Sequence, residues 1–249
     1  YQANAAAGAT APALGLATAV GHDSWFVYAV EPAPHRRGGR LTPAQRKLAA
    51  RRAGTRKPKR SVVRSFQRVL DVLVPRLLPG ARLRLLTDNH PAYRPAVALH
   101  PGASRIQHRV YSNPPRGPKG SPRSPEARSR DEALFPVDQL HALWRHSCAH
   151  HRRETIAFAR RINAAVERGY LMAVWRNFIK GRSERKPDPV TPAMRLGLTD
   201  RPWTWHRVLG RRLFPDREGL DGVWLELYRR DWISPMLRSN TRHRLRLAV

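Results

Sequence analysis

Apolar residues gather in two short runs near the start of the chain, over positions 14–20 and 25–30. The turn-rich tetrapeptide Gly21-His-Asp-Ser24 separates them, which predicts a β-hairpin. Residues 61–78 carry Val62, Phe66, Val69, Leu70, Leu73 and Leu77 at helical spacing, and Pro79-Gly80 ends the pattern. A short strand over 83–88 follows and delivers an aspartate, Asp88, at its carboxyl end. A second strand is expected over 104–111, with Ile106 and Val110 apolar. Residues 137–180 form the strongest helical stretch, with a break near Ser147. Its second half keeps Ile156, Ile162, Val166, Tyr170, Ala173 and Val174 on one face, and Arg160, Arg161, Arg168 and Arg176 elsewhere on the surface. The order is hairpin, helix, strand, strand, long helix: a mixed α/β fold with a sheet flanked by helices.

Between these elements lie basic segments. Residues 35–60 are rich in Arg, Pro and Gly, with a short helix expected over 43–52, Thr42 as N-cap and Pro43 in the first turn. Residues 113–130 have the composition of a loop, rich in Pro, Gly, Ser and Arg, that nucleic acid would order. After residue 182 only short helical or loop pieces are expected. Trp203, Trp205 and Trp224 there suit packing more than stacking on bases.

Charge sharpens the picture. The 249 residues hold 47 Lys+Arg against 18 Asp+Glu, a net charge of +29. That balance asks for a polyanion, nucleic acid before anionic membrane. The hydrophobic fraction of 41% argues against wholesale disorder. No run of 18 apolar residues offers a membrane span, and no signal peptide is expected, because Pro12 interrupts an uncharged start. A single cysteine excludes a disulfide framework. The expectation is a cytoplasmic, nucleoid-associated protein.

Acidic residues are scarce, so those at element ends stand out. Asp88 ends a strand, where ligands gather in α/β sheets, although Asp-Asn before Pro is also ordinary turn chemistry. Glu154 opens a helix among His150, His151, Arg152 and Arg153, cations that keep it ionised, although a first-turn glutamate also favours the helix dipole. Two carboxylates brought together from a strand end and a helix suit Mg²⁺-dependent phosphoryl transfer. The His146-Ser-Cys148-Ala-His150-His151 cluster lacks the second ligand pair that structural zinc needs.

The segments Leu86-Thr-Asp88-Asn-His-Pro-Ala-Tyr93 and His151-Arg-Arg-Glu154-Thr, the latter leading to a helix that ends Val-Trp175-Arg-Asn177-Phe, resemble bacterial insertion-sequence transposases of the DDE type. Arg37-Gly-Gly-Arg-Leu-Thr-Pro43-Ala-Gln and Thr191-Pro-Ala-Met-Arg-Leu-Gly-Leu198 are similar to blocks of one such group. The resemblance implies an RNase H-like catalytic domain over 1–182 and a helical, basic extension over 183–249. It also implies strand cleavage and strand transfer at element ends with Mg²⁺ or Mn²⁺, by a homo-oligomer on DNA. It makes Asp88 the second acid of the triad and Glu154 the third. Phosphate contacts are expected from Arg116, Lys119, Arg123, His150, His151, Arg152, Arg153, Arg160 and Arg161. The first acid belongs on a strand upstream of the hairpin, and Asp23 sits in the hairpin turn instead. The expectation is therefore an N-terminally truncated chain with impaired catalysis. A DNA-binding remnant without chemistry and an RNA-associated basic protein are the alternatives.

Overall fold

The two apolar runs pair as an antiparallel hairpin, β2 (Ala13–Val20) with β3 (Val27–His35), in a register running from Ala13 opposite His35 to Val20 opposite Val27. The computed structural model describes residues 2–3, 13–35, 43, 60–115, 117–118, 120–151, 162–183 and 188–210. The expected helix over 43–52 therefore lies outside the described residues apart from Pro43, and so does the chain beyond residue 210. A two-residue strand, β1 (Gln2–Ala3), adds to the other edge of β2. Among the described residues β3 is at the sheet edge, the position in a sheet that tolerates prolines such as Pro32 and Pro34. At the turn, a β-carbon on Gly21 would lie 2.3 Å from Ser24 Oγ, so that hydroxyl, which accepts the Phe26 N–H, would have to rotate away.

β3 is buried on both sides. On one, α1 (Ser61–Leu73) lays Val69 and Val72 against Ala29, with Ala17 and Ala19 alongside. Small residues on the strands let the helix come close, and the Ser65 hydroxyl donates to the Pro32 carbonyl. On the other side, Leu16, Val27 and Val30 meet Trp144, Leu140, Ala165 and Ala173 from two later helices. Leu16, Val27, Val30 and Leu140 each contribute about 1.5–3 kcal/mol by leaving water.

α1 ends where Pro75 enters a 3-10 turn, Val74–Arg76. The next face of the same helix, Phe66 and Leu70, together with Val74 of that turn, packs under a second, parallel pair of strands. These are β4 (Leu83–Asp88) and β5 (Ile106–Tyr111), aligned from Leu83 beside Ile106 to Asp88 beside Tyr111. The crossover between them carries α2 (Tyr93–Ala98), whose Tyr93 ring lies 4.4 Å from that of Phe66. The architecture is mixed α/β, with two small sheets sharing one helix where one flanked sheet was expected.

The loop expected over 113–130 is shorter. α3 (Pro125–Ser147) begins inside it, because the Ser124 hydroxyl accepts from the Ala127 N–H, Pro125 fills the first turn and Glu126 faces the helix dipole. The break near Ser147 is present. A 3-10 turn, Ala149–His151, precedes α4 (Ile162–Val174), which runs into a π-helical turn, Trp175–Ile179. Short helices α5 (Pro192–Arg195) and α6 (Trp205–Leu209) follow, each capped by a threonine hydroxyl. Among the described residues no helix is long and apolar enough to cross a membrane.

Candidate functional site

β4 ends on Asp88 because the chain turns there. The Asp88 carboxylate accepts the His90 N–H at 3.2 Å, and His90 Nδ1 accepts the Ala92 N–H at 3.2 Å, so the turn into α2 is built on two side chains in succession. The turn chemistry weighed from sequence is thus present, and it leaves Asp88 half-buried at the carboxyl end of a parallel pair. Beside it, the Tyr93 hydroxyl is pushed up to about 12, first by burial and then by the Asp88 charge. Thr87 Oγ1 pairs with His108 Nε2 at 2.8 Å. Burial, and then Arg94, hold that imidazole below its ordinary range, so it is neutral at pH 7. Beside Asp88 in the register is Tyr111, whose ring centre lies 5.0 Å from the Arg109 guanidinium carbon. The strand end therefore presents the Asp88 carboxylate beside a buried tyrosine hydroxyl, with Arg109 on the neighbouring strand.

Mg²⁺ and Mn²⁺ need several oxygen ligands. Among the described residues no group of three or more His, Cys, Asp or Glu is placed to hold an ion. Asp88 supplies one carboxylate, and Glu154, Arg152, Arg153, Arg160 and Arg161 lie outside the described residues, as do Arg116 and Lys119. His150 is placed only as backbone of the turn before α4.

The chain matches no family model, no curated protein and no solved structure.

Two of the expected phosphate contacts have described side chains, and one of them, His151, differs from expectation. His151 is buried, 1% exposed, with its ring 5.5 Å from that of Trp144, so it belongs to the core rather than to a DNA-facing surface. Arg123 is exposed and donates through Nε to Asp131 of α3 at 3.0 Å. Asp23 lies in the hairpin turn as the sequence suggested, solvent-exposed and paired with His22 at 2.8 Å. Trp203 stacks on Phe178 at 4.5 Å and carries the Arg207 guanidinium 4.9 Å from its ring centre, which favours the packing reading of that tryptophan.

Arg176 corrects the sequence in the other direction. Expected on the surface, it is 4% exposed on the π turn, next to the equally buried Asn177. The run of Arg176, Lys180 and Arg182 was the signal available for it.

Proposed function

We propose that this chain handles DNA as part of a DDE-type transposase catalytic domain of RNase H-like fold, with Asp88 and Glu154 as the acids of a divalent-metal site. The observation that carries the reading is Asp88, one of few acids in a chain of net charge +29, held at the open carboxyl end of a parallel strand pair. Ligand sites in open α/β sheets gather at such strand ends. The surrounding positive charge draws in the phosphate backbone that the chemistry needs.

A bound divalent ion supplies a polarised phosphoryl oxygen and an activated nucleophile. This chain's own part is to fix the direction of the Asp88 carboxylate through the His90 N–H, beside the buried Tyr93 hydroxyl. Glu154, the second acid expected from the sequence, would supply the other carboxylate on this reading.

Mn²⁺ binding to the full chain, followed by electron paramagnetic resonance, tests the reading. Binding lost in Asp88→Asn and again in Glu154→Gln, with the circular dichroism unchanged, is the expected result. Equal Mn²⁺ binding by the wild type and both variants would remove the two acids from the site. Binding of duplex DNA with no Mn²⁺ bound would favour the second reading, a DNA-binding remnant without chemistry.

A further inference from the structure

Arg176 is buried among other cations. Its guanidinium carbon lies 5.5 Å from the centre of the Trp25 ring, and those of Arg182 and Arg195 lie at 5.1 and 5.9 Å. Three guanidinium groups thus share one indole, an arrangement in which cation–π attraction offsets part of their mutual repulsion. Arg195 also donates to the Asp23 carbonyl at 2.8 Å, which ties the cluster to the hairpin turn. Among the described residues no ion pair involves Arg176, Arg182 or Arg195. Arg176 Nη1 is buried with no hydrogen-bond partner. Burial, and then Arg195, lower the Arg176 guanidinium to about 10, which leaves it charged at pH 7.

A buried charge without a counter-charge is costly, and the fold holds this one in place with two unusual pieces of backbone. Trp25 has φ 60, the left-handed region that bulky residues avoid. Arg176 sits on a π turn, a local irregularity frequent at functional sites. Next to them is a cavity of about 270 Å³, lined by Arg176, Lys180, Arg182, His146 and Gln139, with Leu143 as an apolar wall.

The geometry points to a phosphate-binding site at this cavity, formed by Arg176, Lys180 and Arg182, with Trp25 and Arg195 holding the guanidinium groups in position. A tetrahedral dianion suits it, because forked guanidinium groups meet phosphate oxygens in pairs. The phosphate is that of a nucleic-acid backbone if the DNA reading above holds, and only this choice of source rests on that reading.

Two measurements on the full chain test the site. In the first, pyrophosphate is the probe and the melting temperature is followed against sodium chloride at equal ionic strength. Pyrophosphate should raise it more than chloride does. Arg182→Ala, an exposed position, should weaken pyrophosphate binding about tenfold, the loss of one charge-assisted contact. Arg64→Ala, an exposed arginine of α1 away from the cluster, should keep the whole effect. An undiminished effect in Arg182→Ala, or an equal loss in Arg64→Ala, would overturn the site in favour of diffuse charge. In the second, the salt dependence of duplex binding should fall in slope by about 1 in Arg182→Ala if the ligand is a backbone phosphate. An unchanged slope together with lost pyrophosphate binding supports the site and assigns it a free phosphate. No duplex binding by any form would sink the DNA reading and leave the site standing on the first measurement.

Discussion

The side-chain amide of Asn177 closes both backbone polar groups of Val27. Its Oδ1 accepts the Val27 N–H at 2.8 Å and its Nδ2 donates to the Val27 carbonyl at 2.9 Å, both buried. The π turn thereby acts as a one-residue strand partner for the start of β3, supplying the hydrogen bonds where the ladder to β2 shifts register between Ala19 and Val20. Asn177→Ala leaves a buried donor and a buried acceptor unanswered, and should lower unfolding stability by about 2–4 kcal/mol in urea titrations. Asn177→Asp keeps the acceptor but buries a charge, so its loss should be at least as large and should shrink as pH falls toward the carboxyl range. Equal stability of Asn177→Ala and wild type would show that the two contacts are not formed.

Gly169 of α4 lies against Val30. A β-carbon at 169 would come 2.9 Å from Val30 Cγ1. Gly169→Ala should therefore destabilise by about 1–3 kcal/mol despite its gain in helix propensity, which by itself is worth up to about 1 kcal/mol. Val30→Ala removes the obstructing methyl groups, so the double variant should be more stable than the sum of the two single changes allows. A simple sum in the double-mutant cycle would rule out the close approach.

Tyr93 offers a reading of Asp88 that requires no metal. Its hydroxyl stands at about 12 against an ordinary value near 10, with burial first and Asp88 second as causes. Removing the charge in Asp88→Asn should move the Tyr93 titration downward, seen as earlier tyrosinate absorbance compared with Tyr93→Phe. A titration that does not move would place Asp88 too far from the hydroxyl to act on it.

The same shift has a stability consequence. The unfolded chain releases this proton near pH 10 and the folded chain holds it to about 12, so stability is full below pH 10 and falls as pH rises through that interval. Two units correspond to about 2.7 kcal/mol by pH 12. Tyr170, raised by burial and by the Glu31 charge, adds to the fall in the same direction. Tyr93→Phe should flatten the alkaline limb of the stability curve; an unaltered limb would assign the loss elsewhere.

Trp144 is fully buried at the meeting point of β2, β3, α3 and α4. Trp144→Ala should cost about 3–5 kcal/mol, which approaches the whole stability of a small domain. A cooperative unfolding transition in Trp144→Ala close to that of the wild type would contradict the core described here.

Local signals carried part of this structure into the sequence, and the missing part has identifiable causes. β4 occupies 83–88 in both, because Gly80 and Asn89-His-Pro punctuate its ends and nothing longer-ranged is needed to place it. The start of α3 was hidden by composition: Ser124-Pro-Glu126 is a helix-opening sequence, but it lies in a stretch so rich in Pro, Ser and Arg that the loop signal outweighed it. Arg176 was assigned to the surface on a regular 3.6-residue wheel. The π turn inserts extra backbone at Trp175–Ile179, shifts the phase of the wheel and carries Arg176 and Asn177 inward. Asp88 was placeable at a strand end from sequence, whereas its neighbours Thr87, Tyr93, His108 and Tyr111 meet only through the parallel pairing of β4 and β5, which no local pattern announces.

α1 carries both sheets on two of its faces, Val69 and Val72 toward the hairpin and Phe66 and Leu70, continued by Val74 of the 3-10 turn, toward β4 and β5. A two-stranded sheet has little stability of its own, so the pair that bears Asp88 depends on these thirteen helical residues to stay formed. Backbone amides of β4 and β5 should therefore exchange with deuterium in step with those of α1, through one shared opening rather than through separate fraying. A cavity cut into that helix, as in Leu70→Ala, would hasten exchange at positions 83–88 without touching a single strand residue, making the carboxylate at the strand end only as long-lived as the helix beneath it.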